Sequence, residues 1–332
     1  MNKLQWGILS TAKIGTEKVI PAMQRSESAE IVAIASRDQA RASHAATQLG
    51  IPRSYGSYEA ILLDERIEAV YIPLPNHMHV SWAIRSLEHG KHVLCEKPIG
   101  LSVAEAQSLI AAGKQHDELK LMEAFMYRHH PQWRTTKELV DSGAIGELRT
   151  IQTFFSYFND DPHNIRNRPE LGGGALMDIG CYPISLSRWL MGEEPEQVTG
   201  KLNIDPVFGV DRSGSGLLEF TGGRTSSFTA SMEVAPFQRV QVVGTSGRIE
   251  IEIPFNAPPD RACRLWKQDM SGEIQELEFA VCDQYAIQGD LFAKSIRNQT
   301  PVPTPIEDAV ANMRVIEALV ASDRANAPVA LN

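Results

Sequence analysis

The first third of the chain alternates short apolar runs with longer segments in which apolar residues recur at helical spacing. Leu4–Leu9 and Glu30–Ser36 predict strands, and Ile14–Arg25 predicts the helix between them. Three more apolar runs of the same kind follow, namely EAVYIPLP, KHVLCE and LKLMEAF. Strands that are apolar throughout and alternate with helices indicate a parallel sheet covered on both faces. Right-handed crossovers make such a sheet doubly wound.

After about Phe125 the pattern changes to one helix near Pro131–Ser142 and several long strand-like stretches. Turn signals such as TGGR and GTSGR separate these stretches, which favours antiparallel pairing. A helical insertion lies around Leu171–Leu190, and two helical patterns end the chain. The sequence therefore predicts an α/β protein with a first domain over 1–124 and an α+β domain over 125–332. In an alternative arrangement, the last helix packs back on the first domain.

Composition narrows the classes of function that fit this fold. The 332 residues are 43% hydrophobic and carry a formal net charge of −9, without the Lys/Arg cluster that nucleic-acid binders show. No apolar run approaches the ~20 residues that span a bilayer. The chain opens almost directly into a strand, with no room for an export signal. We therefore expect a cytoplasmic protein with a small-molecule partner, and neither nucleic acid nor a membrane.

Cysteines and histidines give no sign of a disulfide or a metal. The four cysteines show no C-x-x-C spacing, and the nine histidines have no carboxylates or thiolates converging on them in sequence. Free thiols fit a reducing compartment. We expect no metal site.

The segment GILSTAKIG, Gly7 to Gly15, lies where a dinucleotide-binding protein has its G-x-G-x-x-G loop. Only the third glycine position is kept, as Gly15; Ser10 and Ala12 occupy the other two. The start of the following helix would attract a pyrophosphate whichever residues line it. An ordinary turn between a strand and a helix explains the segment about as well. The candidate cofactor contacts are Ser10, Thr11, Ala12, Lys13, Ile14 and Gly15.

The residues that would read the cofactor ribose follow about 20 positions later, at the end of the second strand. Here the chain has Ser36 and Arg37, followed by Asp38. A hydroxyl and a guanidinium suit a 2′-phosphate, whereas an acid suits a 2′-hydroxyl. The pair favours NADP over NAD. In the alternative, Arg37 is a solvated side chain and Asp38 caps the next helix.

Two later motifs supply a set of residues for proton transfer. CEKPIG places Lys97 at the carboxyl end of a strand, and LGGGALMDIGCY places Asp178 and Tyr182 four residues apart on a helix. A tyrosine is a poor base at its ordinary pKa of about 10, but a nearby lysine ammonium favours the phenolate. The alternative is a surface lysine, a helix-capping aspartate and a core tyrosine.

These motifs identify a resemblance that runs nearly end to end. WGILSTAKIG, YIPLPNHMH, EKPIG, DPHNIR, LGGGALMDIGCY and GTSGRIEI resemble the glucose–fructose oxidoreductase, inositol dehydrogenase and rhizopine-catabolism superfamily (Gfo/Idh/MocA). The resemblance implies a Rossmann first domain and a second domain with a large open sheet. It implies that Lys97 contacts the nicotinamide ribose and substrate, that Asp178 binds a substrate hydroxyl, and that Tyr182 is the acid/base.

The resemblance also implies further site residues and an assembly. Leu74, Asn76, His79 and Glu96 would lie beside the cofactor. Arg166 would be the basic residue near the substrate, with Arg168 as the adjacent alternative. Specificity would rest on loops that include Tyr127. The open sheets of two copies would pack together into a homodimer.

Three functions follow from this set. The first is an NADP-dependent dehydrogenase or reductase that acts on an aldose such as xylose or glucose, or on a related polyol. The second keeps the same machinery and makes the protein a keto-sugar reductase or a trans-dihydrodiol dehydrogenase. The third is a non-catalytic NADP or sugar sensor, which intact Lys97, Asp178 and Tyr182 disfavour because a sensor needs no proton transfer.

Overall fold

The amino-terminal part of the chain folds as a six-stranded parallel sheet flanked by helices. The structure is a computed structural model that describes residues 2–331. The strands are β1 Leu4–Leu9, β2 Ala29–Ala35, β3 Arg53–Tyr55, β4 Ala69–Ile72, β5 His92–Cys95 and β6 Leu121–Glu123. The helices are α1 Ile20–Gln24, α2 Gln39–Leu49, α3 Tyr58–Leu62, α4 His79–Glu88 and α5 Val103–Gln115. A π-helical turn, Ile14–Val19, leads into α1.

The strand order β3-β2-β1-β4-β5-β6, with every pair parallel, is that of a Rossmann sheet. The order reverses between β1 and β4, and open α/β sheets bind ligands at the carboxyl ends of strands on either side of such a reversal. The candidate cofactor residues follow β1, β2, β4 and β5, so the topology brings them to this edge. The predicted fold class is confirmed for this part.

The second sheet has nine strands in the order β14-β13-β12-β11-β7-β10-β9-β8-β15. Only β7 and β10 pair in parallel, so the sheet is mostly antiparallel, as predicted. The helices α6 Pro131–Asp141 and α7 Cys181–Met191 belong to this part of the chain. The strands are β7 Leu148–Phe158, β8 Gln197–Ile204, β9 Asp211–Phe220, β10 Arg224–Ser231, β11 Glu233–Gly244, β12 Gly247–Ile251, β13 Cys263–Asp269 and β14 Ile274–Phe279.

The chain ends with α8 Gln284–Arg297, α9 Ile306–Ala325 and β15 Val329–Ala330. Two compact units result: unit 1 is Met1–Met126 with Gln284–Val310, and unit 2 is Tyr127–Asp283 with Ala311–Asn332. Residues 284–310 therefore lie with the first unit, whereas the sequence boundary put them in the second domain. Apolar packing explains why α8 belongs to unit 1, because Phe292 of α8 is fully buried beside Trp6, with ring centroids 5.5 Å apart.

An aromatic cluster forms the part of the unit 2 core that lies under the candidate site. Alternate residues of β7 face inward, and among them Phe155 contacts Tyr182 of α7 with centroids 5.6 Å apart. Phe255 stacks on Phe155 at 5.1 Å, and Tyr127 and Trp133 complete the cluster. Fully burying one such side chain contributes about 1.5–3 kcal/mol, so the cluster fixes α7 on the sheet.

Candidate active site

The turn after β1 has the backbone shape of a glycine at a position that holds serine. Ser10 has φ of +150°, a region that L-residues rarely adopt, and it is nearly buried. Its Oγ accepts a hydrogen bond of 3.0 Å from the N–H of Ala12. The position therefore demands the conformation that the missing first glycine would supply, and the hydroxyl stabilises it locally. Such strain is typical of functional turns.

The rest of the loop leads into the π-helical turn, which begins at Ile14. Thr11, Ala12 and Ile14 are half-buried, Lys13 is exposed, and Gly15 is buried. A Cβ at Gly15 would lie 3.4 Å from Cγ of Pro73, which is ordinary contact. A helix that begins at the carboxyl edge of a parallel sheet attracts anions to its first N–H groups. The backbone shape at Ser10 and the place of the loop fit a dinucleotide pyrophosphate.

The residues at the end of β2 separate into a buried hydroxyl, an exposed cation and a helix cap. Ser36 is buried, and its Oγ accepts from the N–H of Asp38 at 3.4 Å. Asp38 caps α2, because its Oδ1 accepts from the N–H groups of Ala40 at 2.8 Å and Arg41 at 3.2 Å. Arg37 is exposed. The carboxylate that could compete for a ribose hydroxyl is thus engaged in capping.

Tyr58 joins two of these cofactor candidates from α3. Burial raises the pKa of its phenol, while interactions with Arg37 and Ser10 act in the opposite direction. The phenol is therefore close to both the strained turn and the exposed guanidinium. Sequence reasoning missed Tyr58, since the short helix that carries it shows no clear periodicity.

Both ring nitrogens of His79 contact backbone carbonyl groups. Its Nε2 lies 2.7 Å from the carbonyl oxygen of Leu74 and its Nδ1 lies 2.8 Å from that of Pro98, with 1% of the residue exposed. Burial lowers the pKa of His79 to about 4 although both carbonyls favour the protonated ring. His79 therefore ties the segment after β4 to the segment after β5. Asn76 is half-buried at the start of a short helical turn, Asn76–Met78.

The EKP segment follows β5 directly. Glu96 accepts a hydrogen bond of 2.5 Å from the hydroxyl of Tyr71, whose pKa is raised by burial and by this carboxylate. The Glu96 N–H donates to Ile72 O at 3.1 Å, which extends the strand pairing by one residue. Lys97 comes next and is half-buried. Glu96 is thus bound to the sheet, and Lys97 follows it just beyond the carboxyl end of β5.

In unit 2, Asp178 is held by two side chains at the same oxygen. The hydroxyl of Tyr157 donates to Oδ2 at 2.5 Å, and Nε of Arg166 lies 2.8 Å from it. The Asp178 side chain is 12% exposed and that of Arg166 is 39% exposed. The carboxylate raises the pKa of Arg166, while burial and Asp178 together raise that of Tyr157. Tyr157 is therefore a permanent donor and Arg166 a permanent cation.

The structure distinguishes the two arginines that the sequence left open. Arg168 lies 2.5 Å from Glu170 through its Nη2, and both side chains are about half exposed. Arg166 instead contacts Asp178. The sequence analysis did not include Tyr157 among the site residues; the signal that could have found it is its inward position on β7, two residues after Phe155.

Tyr182 lies at the start of α7, just beyond a π-helical turn, Leu176–Gly180, that carries Asp178. It is 6% exposed, and its ring contacts Phe255 at 5.2 Å and Tyr127 at 5.8 Å. Tyr127 is fully buried, and its hydroxyl bonds Oγ of Ser185 at 2.9 Å. Tyr127 therefore supports the ring of Tyr182 from within the core, which is not where a substrate contact would lie.

Among residues 2–331, no group of three or more His, Cys, Asp or Glu side chains is arranged to hold a metal ion. None of the described helices combines the length and apolar content that a membrane span requires. All four cysteines are free thiols, and Cys95, Cys181 and Cys263 are buried.

Comparison with known proteins agrees with this fold. Residues 4–125 match the model of an oxidoreductase family with an NAD-binding Rossmann fold, and residues 133–250 match the GFO/IDH/MocA C-terminal domain. An uncharacterized oxidoreductase, ORF334 of Rhizobium meliloti, is 46% identical over 96% of both chains. A D-xylose 1-dehydrogenase (NADP(+)) of Haloferax volcanii is 39% identical over 99% of this chain and 100% of its own.

Among solved structures, KijD10 is similar over nearly its whole length. It is a 3-ketoreductase from Actinomadura kijaniata, crystallised with NADP and TDP-benzene, with a TM-score of 0.91 and 30% identity. The match covers 97% of this chain and 98% of KijD10. The chain therefore belongs to the GFO/IDH/MocA family of oxidoreductases, with an NAD(P)-binding Rossmann domain at its amino terminus.

Proposed function

We propose that this protein is an NADP-dependent dehydrogenase or reductase that acts on an aldose, such as xylose or glucose, or on a related polyol. The observation that carries the proposal is Asp178, fixed by Tyr157 and Arg166 one helical turn before Tyr182. A carboxylate in such a place accepts hydrogen bonds from substrate hydroxyls. The similarity to a D-xylose 1-dehydrogenase over 99% of the chain supports a sugar.

In the proposed reaction each residue has one task. Asp178 accepts a hydrogen bond from a substrate hydroxyl and orients the sugar. Tyr182 takes the proton of the reacting hydroxyl during oxidation and returns it during reduction. Lys97 would contact the nicotinamide ribose and substrate, and its ammonium would favour the phenolate of Tyr182. NADP, when bound, accepts or supplies the hydride.

The preference for NADP rests on the end of β2. Arg37 is exposed and able to contact a phosphate, Ser36 adds a hydroxyl, and Asp38 is engaged in capping α2. We propose that NADPH binds at least tenfold more tightly than NADH, a difference of about 1.4 kcal/mol. Fluorescence titration with both cofactors tests this. Arg37→Ala should abolish the preference, whereas Arg41→Ala, a nearby exposed arginine on α2, should retain it.

Turnover tests the activity itself. The purified protein should reduce NADP with D-xylose or D-glucose, and Tyr182→Phe should remove that activity. A protein that binds NADPH yet turns over no sugar, polyol or diol would favour a sensor.

Similarity to the ketoreductase KijD10 favours keto-sugar reduction as a second candidate. NADPH oxidation with a keto-sugar but no activity on aldoses would support that candidate, and preference for an aromatic dihydrodiol would support a dihydrodiol dehydrogenase.

We also propose a homodimer formed through the outward face of the nine-stranded sheet. Phe154 and Phe237 contact each other on this face at 5.7 Å between centroids, and Phe237 is 48% exposed. A cavity of about 560 Å³ on this face is lined by Phe154 and Leu217 together with polar side chains, among them Thr199, Ser215, Ser227 and Thr229. Sedimentation of the wild type and of Phe237→Asp tests the dimer; a monomeric wild type would contradict it.

A further inference from the structure

The helix that carries Asp178 and Tyr182 is capped from a distant strand. Oδ2 of Asp211, at the start of β9, accepts a hydrogen bond of 2.6 Å from the N–H of Leu176, where the π-helical turn begins. The backbone N–H of Ala175 also lies close to this carboxylate. Most helix caps come from the residue just before the helix. Here the capping group belongs to the sheet, so the start of the helix is fixed to the sheet.

The glycines before the helix make room for this carboxylate. Gly174 has φ of +113°, and a Cβ on it would lie 2.1 Å from Oδ1 of Asp211. A Cβ on Gly173 would lie 2.4 Å from the carbonyl oxygen of Arg166. No side chain larger than hydrogen fits at either position. Two of the three glycines in LGGGAL, Gly173 and Gly174, are therefore explained by the close approach of an acceptor oxygen.

The same turn also holds Arg166. The N–H of Gly174 donates to the carbonyl oxygen of Arg166 at 2.9 Å, and the Arg166 guanidinium contacts Asp178. Asp211, Gly174, Arg166 and Asp178 therefore form a closed set of contacts around the helix start. A carboxylate suits this place because the helix N-terminus carries a partial positive charge. Displacing Asp211 would free the start of the helix, which carries Asp178, and the Gly174 turn, which holds Arg166.

We propose that Asp211 is a positioning residue for the reaction, which sets the place of Asp178 and Tyr182 by holding the start of their helix to β9. The proposal rests on the proposed function, since it assigns a task within the same site. Asp178 is the third residue of the capped turn, so a shift of that turn moves its carboxylate directly. Misplacing a reacting group by about 1 Å can cost on the order of 100-fold in rate.

Three variants separate positioning from general stability. Asp211→Ala removes the cap. Asp211→Asn keeps one acceptor oxygen at the same reach. Asp269→Ala is the matched control, because Oδ1 of Asp269 also accepts from two backbone N–H groups, those of Ser271 at 2.8 Å and Glu273 at 3.1 Å, in an exposed hairpin of unit 2. Should Asp211→Ala not fold, Asp211→Ser takes its place; its oxygen lies one bond closer to the backbone than a carboxylate oxygen, so Asp211→Ser should retain less of the rate than Asp211→Asn.

The first measurement is steady-state turnover of D-xylose and D-glucose with NADP. Asp211→Ala should lower kcat roughly 10- to 100-fold, Asp211→Asn should restore it to within about fivefold of wild type, and Asp269→Ala should leave it unchanged. The dissociation constant for NADPH should stay the same in all three, because the cofactor residues lie in unit 1. A wild-type kcat in Asp211→Ala would overturn the positioning role.

The second measurement is hydrogen exchange at the backbone amides of residues 175–178, which needs no substrate. Exchange there should be about tenfold faster in Asp211→Ala, equivalent to about 1.4 kcal/mol of local protection, and unchanged in Asp269→Ala. Unchanged exchange in Asp211→Ala would overturn the cap itself. A wild type that turns over neither sugar would overturn the proposed function, whereas an active wild type with an unaffected Asp211→Ala would overturn this inference alone.

Discussion

Nε of Arg166 lies 2.8 Å from Oδ2 of Asp178, while Arg168, two residues later, pairs with Glu170 at the surface. Arg166→Ala should therefore lower kcat/KM for the sugar by roughly 10- to 100-fold, because it leaves a mostly buried carboxylate without its cation. Arg168→Ala should stay within about threefold, since exposed ion pairs contribute only ~0.2–1 kcal/mol. Steady-state kinetics of both variants decides; equal losses would contradict the assignment.

Tyr182 and Tyr127 touch each other but should behave differently on loss of their hydroxyls. Tyr182→Phe should lower kcat by about 10²- to 10⁴-fold, as expected for a general acid/base. Tyr127→Phe should leave kcat within about threefold and cost about 1 kcal/mol of unfolding free energy, because its bond to Ser185 is lost. Turnover and urea denaturation of the two variants check this. Near-normal turnover in Tyr182→Phe would exclude it as the acid/base.

Because Ser10 has a positive φ, its alanine and glycine variants should differ in unfolding free energy. Ser10→Ala keeps the strained backbone and loses the bond to Ala12, whereas Ser10→Gly relieves the strain. The alanine variant should be less stable than the glycine variant by about 1–2 kcal/mol. At Ser108, inside α5, the order should reverse by about 1 kcal/mol because glycine is a poor helix former. Urea unfolding of the four variants tests both signs.

Buried histidines should make the fold sensitive to mild acid. Burial lowers the pKa values of His79, His129 and His130 to about 4, below the ordinary 6.5, so the unfolded chain binds more protons between those values. Stability should then fall as pH drops through this window, by up to about 1.4 kcal/mol per pH unit for each histidine. Burial raises the pKa of Asp211 to about 7, which acts in the opposite sense. Burial also lowers the pKa of His92 to about 4, so four histidines outweigh this one carboxyl and a net loss is expected.

Unfolding free energies measured at intervals between pH 7 and pH 4.5 check this slope. His79→Gln should reduce the slope of unfolding free energy against pH by up to about 1.4 kcal/mol per pH unit, the contribution of one proton. His163→Gln, an exposed histidine of unit 2, should leave it unchanged. A stability that rises toward pH 5 would show that protonation of Asp211 dominates instead.

Periodicity predicted the parallel sheet and the presence of a second, antiparallel one, but not every strand. β14 was missed because most of its residues are exposed, so it shows little apolar alternation. β8 was missed because Gly200 interrupts it; a Cβ there would lie 2.4 Å from the carbonyl oxygen of Leu319. Both strands form through backbone pairing and packing with distant segments, which a local pattern does not contain.

The motifs located the candidate site, and the structure shows how its members are held. Sequence spacing placed Asp178 and Tyr182 on one helix, but it did not reveal Tyr157, which comes from β7, or Asp211, which comes from β9. It also grouped His79 and Tyr127 with ligand contacts, whereas their polar atoms are bonded to protein groups. Partners brought together by the sheet are set by register, and register depends on contacts far apart in the chain.

The packing of Phe292 against Trp6 bears on how the protein is made. The core of unit 1 stays incomplete until α8, which starts at Gln284, has left the ribosome. Unit 1 therefore has to complete its fold after nearly all of unit 2 has been synthesised, in the reverse of the usual order in which the amino-terminal domain folds first. A gene fragment cut at the boundary suggested by the sequence would leave Trp6 uncovered, so transplanting this Rossmann unit into another enzyme requires α8 as well.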